Sequence, residues 1–120
     1  MVASLARRRY ISLTTFRRDG TEVSTPVWVV SDDGRRLLVW TGGKTWKVKR
    51  IRANPRVLVA PATFRGRERG PRIEGRARIL EGHDAKPLIR EKYGWQMRLL
   101  ERFSSGGYAT SVTVEIVDAT

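Results

Sequence analysis

TGGKTWKVKRIRANPR (Thr41–Arg56) runs from the end of an apolar segment, through paired glycines, into a basic stretch stopped by Asn54-Pro55. Its Gly-Lys-Thr suggests the phosphate cradle of a nucleotide hydrolase, which would place it in a parallel βαβ sheet. The spacing G-x-x-x-x-G-K-[ST] then requires glycine at position 38, and that residue is Leu38 inside an apolar run. A magnesium-holding acid should also close a later strand, whereas Val57–Ala62 ends in alanine before Thr63. Nucleotide hydrolysis is therefore excluded. The ingredients of an anion site remain: glycines that admit a ligand to the backbone, Thr45 as the expected N-cap, and helix N–H groups worth roughly 0.3–1 kcal/mol toward an anion. A plain strand-to-helix turn followed by a solvated lysine face fits the same letters.

Upstream of this stretch the pattern is antiparallel. Tyr10–Phe16 and Glu22–Val30 are β-branched and aromatic runs flanking an Asp19-Gly20 turn, and Ser31–Gly34 leads to a third run, Arg36–Thr41. These three are expected to form a meander. Trp46–Ala53 is expected as a short helix with Val48 and Ile51 inward, because the residue before Pro55 is pushed out of the α region. Val57–Ala62 reads as a buried strand and Thr63–Gly70 as a loop. Arg72–Leu80 is a strand whose Ile73, Gly75, Ala77 and Ile79 alternate with charged residues. Asp84 is the expected cap of a helix running to Tyr93, with Gly94 beyond it. A second helix, Trp95–Phe103, the break Ser104–Gly107 and a last strand, Ala109–Val117, complete the chain. Six short strands with late helices make a mostly β (α+β) fold, and residues 1–120 are expected as one domain.

Composition limits the chemistry. There is no cysteine and one histidine, His83, so thiolate catalysis, disulfides and Cys- or His-rich metal sites are excluded. No run approaches the length of a membrane span and neither end carries a secretory pattern; the expectation is a soluble, cytoplasmic protein. Twenty-four Lys and Arg against 12 Asp and Glu give a net charge of +12, and the pI is near 11.3. That charge fits an anionic ligand, a nucleic acid, or a basic solvated surface. Asp19, Asp32, Asp33, Glu22 and Asp84 all fall at turns or caps, where carboxylates serve structure, and no catalytic acid is assigned.

Thr41-x-x-x-Thr45-x-Lys47-x-x-x-Ile51-x-x-Asn54-Pro55 resembles the phosphate-binding segment of the pyridoxamine-phosphate-oxidase-like split barrels. TTFRRDGTEVSTPVWVV (Thr14–Val30), KVKRIRANPRVLVAP (Lys47–Pro61) and EKYGW (Glu91–Trp95) look like its branch dependent on the deazaflavin coenzyme F-420. The resemblance implies a dimeric, six-stranded split β-barrel of the FMN-binding type, with cofactor sites at the subunit interface. It implies that Thr25, Pro26, Val27 and Trp28 border the deazaflavin ring and that Thr41, Lys44, Thr45 and Lys47 surround the phosphate, with Lys49, Arg50 and Arg56 nearby. GGKTW departs from the local pattern, most clearly in having Thr45 where serine is common. The implied reaction is hydride transfer from the reduced cofactor to an electron-poor small molecule such as an enone, quinone or tetrapyrrole, and it needs no catalytic dyad. FMN is the alternative cofactor. A nucleic-acid-binding module and a cofactor carrier are the alternatives of another class. Pro26 also fits a plain edge strand, and Trp28 and Trp40 also fit core packing.

Overall fold

A computed structural model describes residues 1–42, 45–80, 85–96 and 111–119. Its strands are β1 (Ile11–Phe16), β2 (Glu22–Val27), β3 (Leu37–Gly42), β4 (Arg56–Pro61), β5 (Ile73–Leu80) and β6 (Ser111–Asp118). Its helices are α1 (Trp46–Ala53) and α2 (Lys86–Tyr93), preceded by a 3-10 turn at Val2–Leu5. All strand pairs are antiparallel, in the order β2-β1-β4-β5-β6-β3.

The first hairpin forms as its turn chemistry requires. Gly20 takes a φ of 88°, Asp19 Oδ1 accepts the Thr21 N–H at 2.9 Å, and Phe16 pairs with Glu22. The expected meander does not continue. Strand β2 ends at Val27 rather than Val30, and β3 pairs along its length with β6. Only Val30 and Leu38 meet, through reciprocal backbone bonds of 3.0 and 2.7 Å. This bridge joins the two ends of the strand order and curls the sheet into a split β-barrel.

The reason lies at the end of α2. The Tyr93 hydroxyl accepts the Val29 N–H at 3.0 Å and donates to the Arg9 carbonyl at 2.7 Å. The Lys92 ammonium donates to the carbonyls of Val29 (2.6 Å), Arg8 (2.6 Å) and Ala6 (2.9 Å). Both backbone groups of Val29 are thus taken by side chains, leaving none to extend the ladder. Trp28 turns to stack on Tyr93, ring centroids 4.4 Å apart at 9°.

Inside the barrel, Ile11, Leu13, Val39, Val57, Val59 and Ile116 share one core with Val2 and Leu5 of the N-terminal turn and Ile51 of α1. On the outside of β3, Leu38 and Trp40 pack with Ile89 and Tyr93 of α2, so β3 is buried on both faces and Trp40 is a core residue. Glu115 of β6 ties β5 and the segment entering β3 to its own strand, accepting from Arg36 at 2.7 Å and Arg78 at 2.7 Å. Val48 and Ile51 are buried as expected, and α2 has Ala85 at its N-cap and Gly94 at its C-cap. The expected cap Asp84, His83, and the segments Met97–Phe103 and Ser104–Gly107 lie outside the described residues.

Tyr93→Phe should cost about 1–3 kcal/mol, since it leaves the buried Val29 N–H and Arg9 carbonyl without their partner. Urea unfolding measures this, and a loss below about 0.5 kcal/mol would show that the hydroxyl does not hold the strand end. A second outcome concerns acid. Burial raises the Glu115 pKa, but the bonds from Arg78 and Arg36 outweigh it and hold the carboxyl below its ordinary value of 4.5. Its stabilisation is therefore complete above 4.5 and is lost as pH falls through the lower folded value. Glu115→Gln should cost about 1.5–3 kcal/mol at neutral pH and flatten the acid limb of a stability–pH curve.

Candidate functional site

Helix α1 packs against β1 and β5 through Val48 and Ile51, which presents its remaining faces beside the β1–β2 hairpin. Thr45 stands at the N-cap in an extended conformation, but its hydroxyl donates back to the Gly42 carbonyl at 2.9 Å. The expected side-chain cap is absent, because the hydroxyl has turned toward the strand it follows. The N–H groups of the first turn are consequently claimed by no capping side chain. Thr41 is buried at the end of β3, next to this turn. Lys44 and Gly43 lie outside the described residues.

Lys47 is half-buried and has no hydrogen-bond acceptor or carboxylate partner among the described residues. Burial, and then the Arg50 guanidinium one helical turn on, push its pKa below the ordinary lysine value. Arg50 donates from Nε to Thr15 Oγ1 at 2.7 Å, and burial followed by the charge of Arg17 lowers its own pKa. Two partly desolvated cations therefore stand together without a counter-charge among the described residues.

On β2, the register pairs Thr25 with Leu13 and Val27 with Ile11, so both face the barrel interior. Thr25 Oγ1 is buried with no hydrogen-bond partner among the described residues. Thr15, which holds Arg50, pairs with Val23, so Thr25 lies on the same face about 7 Å further along the strand. Pro26 sits on the edge strand and faces the other side, where Gly66 of the 63–70 loop lies against it. Trp28 has one ring face on Tyr93, and Arg56 bonds Glu74 at 2.9 Å with its guanidinium over Phe16. Arg50 thus joins α1 to the β1 face that Thr25 and Val27 share, and Thr41 and Thr45 flank the entry to the helix, whereas Pro26 packs against Gly66 and Arg56 pairs with Glu74.

The outer flank of α1 holds something the sequence reading missed. Phe16, Arg17, Arg18, Trp46, Lys49, Arg50 and Ala53 line a cleft of about 590 Å³. Arg17 and Arg18 precede the Asp-Gly turn and were legible only as turn residues; the doubled arginine was the available signal. Among the described residues there is no cluster of metal-ligating side chains, and no helix is long and apolar enough to cross a membrane.

The sequence model of the pyridoxamine 5'-phosphate oxidase family matches residues 1–116. No curated protein matches the chain. Among solved structures it is similar to a putative pyridoxamine 5'-phosphate oxidase from Listeria innocua, with 22% identity, 99% of this chain and 90% of that chain covered, and a TM-score of 0.64. It is similar to an F-420 reductase at 23% identity, 98% and 92% coverage and a TM-score of 0.59. It is also similar to HutZ, a haem storage protein from Vibrio cholerae, at 11% identity, 95% and 84% coverage and a TM-score of 0.64. Identities this low establish a shared fold.

Because Arg50 is the second cause of the lowered Lys47 pKa, Arg50→Met should move the Lys47 titration up toward the ordinary lysine value. Nuclear magnetic resonance of the dimethylated lysines reads this midpoint directly. An unmoved midpoint would mean that the two cations do not share one field.

Proposed function

The chain belongs to the pyridoxamine 5'-phosphate oxidase family, and from that membership we propose that it is an oxidoreductase using coenzyme F-420, held at a homodimer interface. The observation that carries the cofactor reading is Lys47: a half-buried ammonium beside Arg50 with no acidic partner among the described residues. An isolated charge in that position is costly, and a phosphate oxygen offsets the cost through a charge-assisted hydrogen bond. The neighbouring groups fit the same ligand. The first turn of α1 presents N–H groups without a side-chain cap, and the Thr25 hydroxyl is buried with no partner among the described residues. A phosphodiester with an acidic tail, as coenzyme F-420 carries, suits these cations better than a neutral group.

In this reading Thr41, Lys44, Thr45 and Lys47 hold the phosphate, and Arg50 adds positive potential from its seat on Thr15. Thr25, Val27 and Trp28 border the ring along β2. Trp28 is braced by its stack on Tyr93, which limits how far that wall can shift. The bound group supplies a hydride to an electron-poor small molecule. The protein's task is to position that acceptor, exclude water and stabilise charge, which is why no acid–base pair is required. Residues 1–120 serve as one binding domain, and the barrel of a second copy completes the wall beside β2.

Titration with oxidised coenzyme F-420, followed by its fluorescence, tests this reading. Saturable binding at micromolar protein is expected, and Lys47→Ala should weaken it by about 1.5–3 kcal/mol. Absence of a saturable change overturns the reading. Tighter binding of FMN in a parallel titration would reassign the cofactor, and binding without turnover of any enone or quinone would make the protein a carrier.

A further inference from the structure

The cleft on the outer flank of α1 is not explained by a phosphate at Lys47. Trp46, Lys49, Arg50 and Ala53 recur at the i, i+3, i+4, i+7 spacing of one helical stripe, whereas Lys47 lies nearer the buried flank and does not line the cleft. The opposite wall is Phe16, Arg17 and Arg18, from the end of β1 and the hairpin turn. We propose that this cleft is a second ligand site, which takes a small planar aromatic molecule bearing two or more negative charges.

Charge gives the sign of the ligand. Four cations, Arg17, Arg18, Lys49 and Arg50, share the lining with no carboxylate. None has a carboxylate within ion-pairing distance among the described residues, although Arg36, Arg56, Arg72 and Arg78 each find one. Like charges crowded around one concavity repel, and a polyanion relieves all of them at once.

The aromatics give its shape. Trp46 is 70% exposed, which hydrophobicity alone does not favour for so large a ring. Lys49 Nζ lies 4.5 Å from its centroid, and the Arg56 guanidinium lies 4.8 Å from that of Phe16. Each cation steadies a ring that borders the cleft, making platforms on which a planar group can stack. Size gives the scale: about 590 Å³ falls within the range of small-molecule sites, and an eight-residue helix with one turn bounds it. The site shares only Arg50 with the residues of the cofactor reading, so each can fail alone.

The test is calorimetric titration of the whole chain with naphthalene-1,5-disulfonate, with sodium sulfate as the dianion lacking a ring. Saturable one-to-one binding of the disulfonate is expected, at least about tenfold tighter than sulfate. The double variant Arg17→Gln/Lys49→Gln should weaken it at least about tenfold, and Trp46→Ala at least about fivefold. Arg76→Gln, which removes a charge from the exposed face of β5, should leave it unchanged. All of these positions lie on the surface, and equal melting temperatures confirm that the variants fold. The proposal is overturned by lack of saturation, by equal affinity for sulfate, or by cleft variants that bind like the parent. It is equally overturned if a short single-stranded oligonucleotide binds through the same residues and more tightly than the disulfonate. A lost disulfonate response with an intact coenzyme F-420 response would sink the cleft and leave the cofactor reading standing.

Discussion

The fold depends on how one buried residue, Val29, disposes of its backbone. It is fully buried, so an unpaired N–H or carbonyl there would carry a desolvation cost of the order of 1–3 kcal/mol. Tyr93 and Lys92 answer both groups from a distance of more than sixty residues in sequence. For Lys92 the balance is fine: burial, and then the Arg9 charge, bring its pKa down to about 8, while three carbonyls accept from the charged form and favour it. Tyr93 faces no such conflict. Burial pushes its hydroxyl up to about 12, so it remains a neutral donor and acceptor. The pair binds α2, the N-terminal segment and the exit of β2 at one point. Without it, β2 would be free to run on to Val30, and nothing would turn Trp28 onto Tyr93.

That turn decides what the site is made of. Since β2 stops at Val27, its inward residues Val23, Thr25 and Val27 are only partly covered, whereas every residue of β1 is buried. The barrel therefore has one soft wall, lined by a hydroxyl with no partner among the described residues, and α1 brings Arg50 to Thr15 on the same face. The two halves of α1 obey different demands. Val48 and Ile51 anchor it in the core, and this anchorage makes the loss of solvation at Lys47 unavoidable. Packing and electrostatics are thus opposed within two turns of helix, with no acidic neighbour among the described residues to offset the cost.

Much of this was legible locally. The Asp19-Gly20 hairpin, the stop of α1 at Asn54-Pro55, the alternation along β5 and the inward pair Val48 and Ile51 each follow from residues within a few positions of one another. The basic character of α1 was legible too. What could not be read was long-range choice. RLLVWT fits any antiparallel neighbour, and whether β3 pairs with β2 or β6 rests on contacts across the whole chain. The same holds for Lys92 and Tyr93, which stand out in EKYGW only as letters until their partners at Ala6, Arg8, Arg9 and Val29 are placed. Arg17 and Arg18 escaped for another reason: turn chemistry explained their neighbours fully, so their own charge looked incidental.

The Gly-Lys-Thr that suggested a nucleotide hydrolase shows how context sets chemistry. In a parallel sheet, such a loop faces the ends of neighbouring strands that can deliver a magnesium ligand and a water-orienting residue. Here β3 lies antiparallel at the end of the strand order, and its neighbour β6 runs back the other way. Three of the carboxylates are spent elsewhere: Glu115 on two arginines outside the barrel, Asp33 and Asp19 on their own turns. A cationic pocket without nearby acids can bind and orient an anion, but it offers nothing to activate water against a phosphate bond. The same local elements therefore fit a protein that holds a phosphorylated group intact, leaving any reaction to another part of the bound molecule.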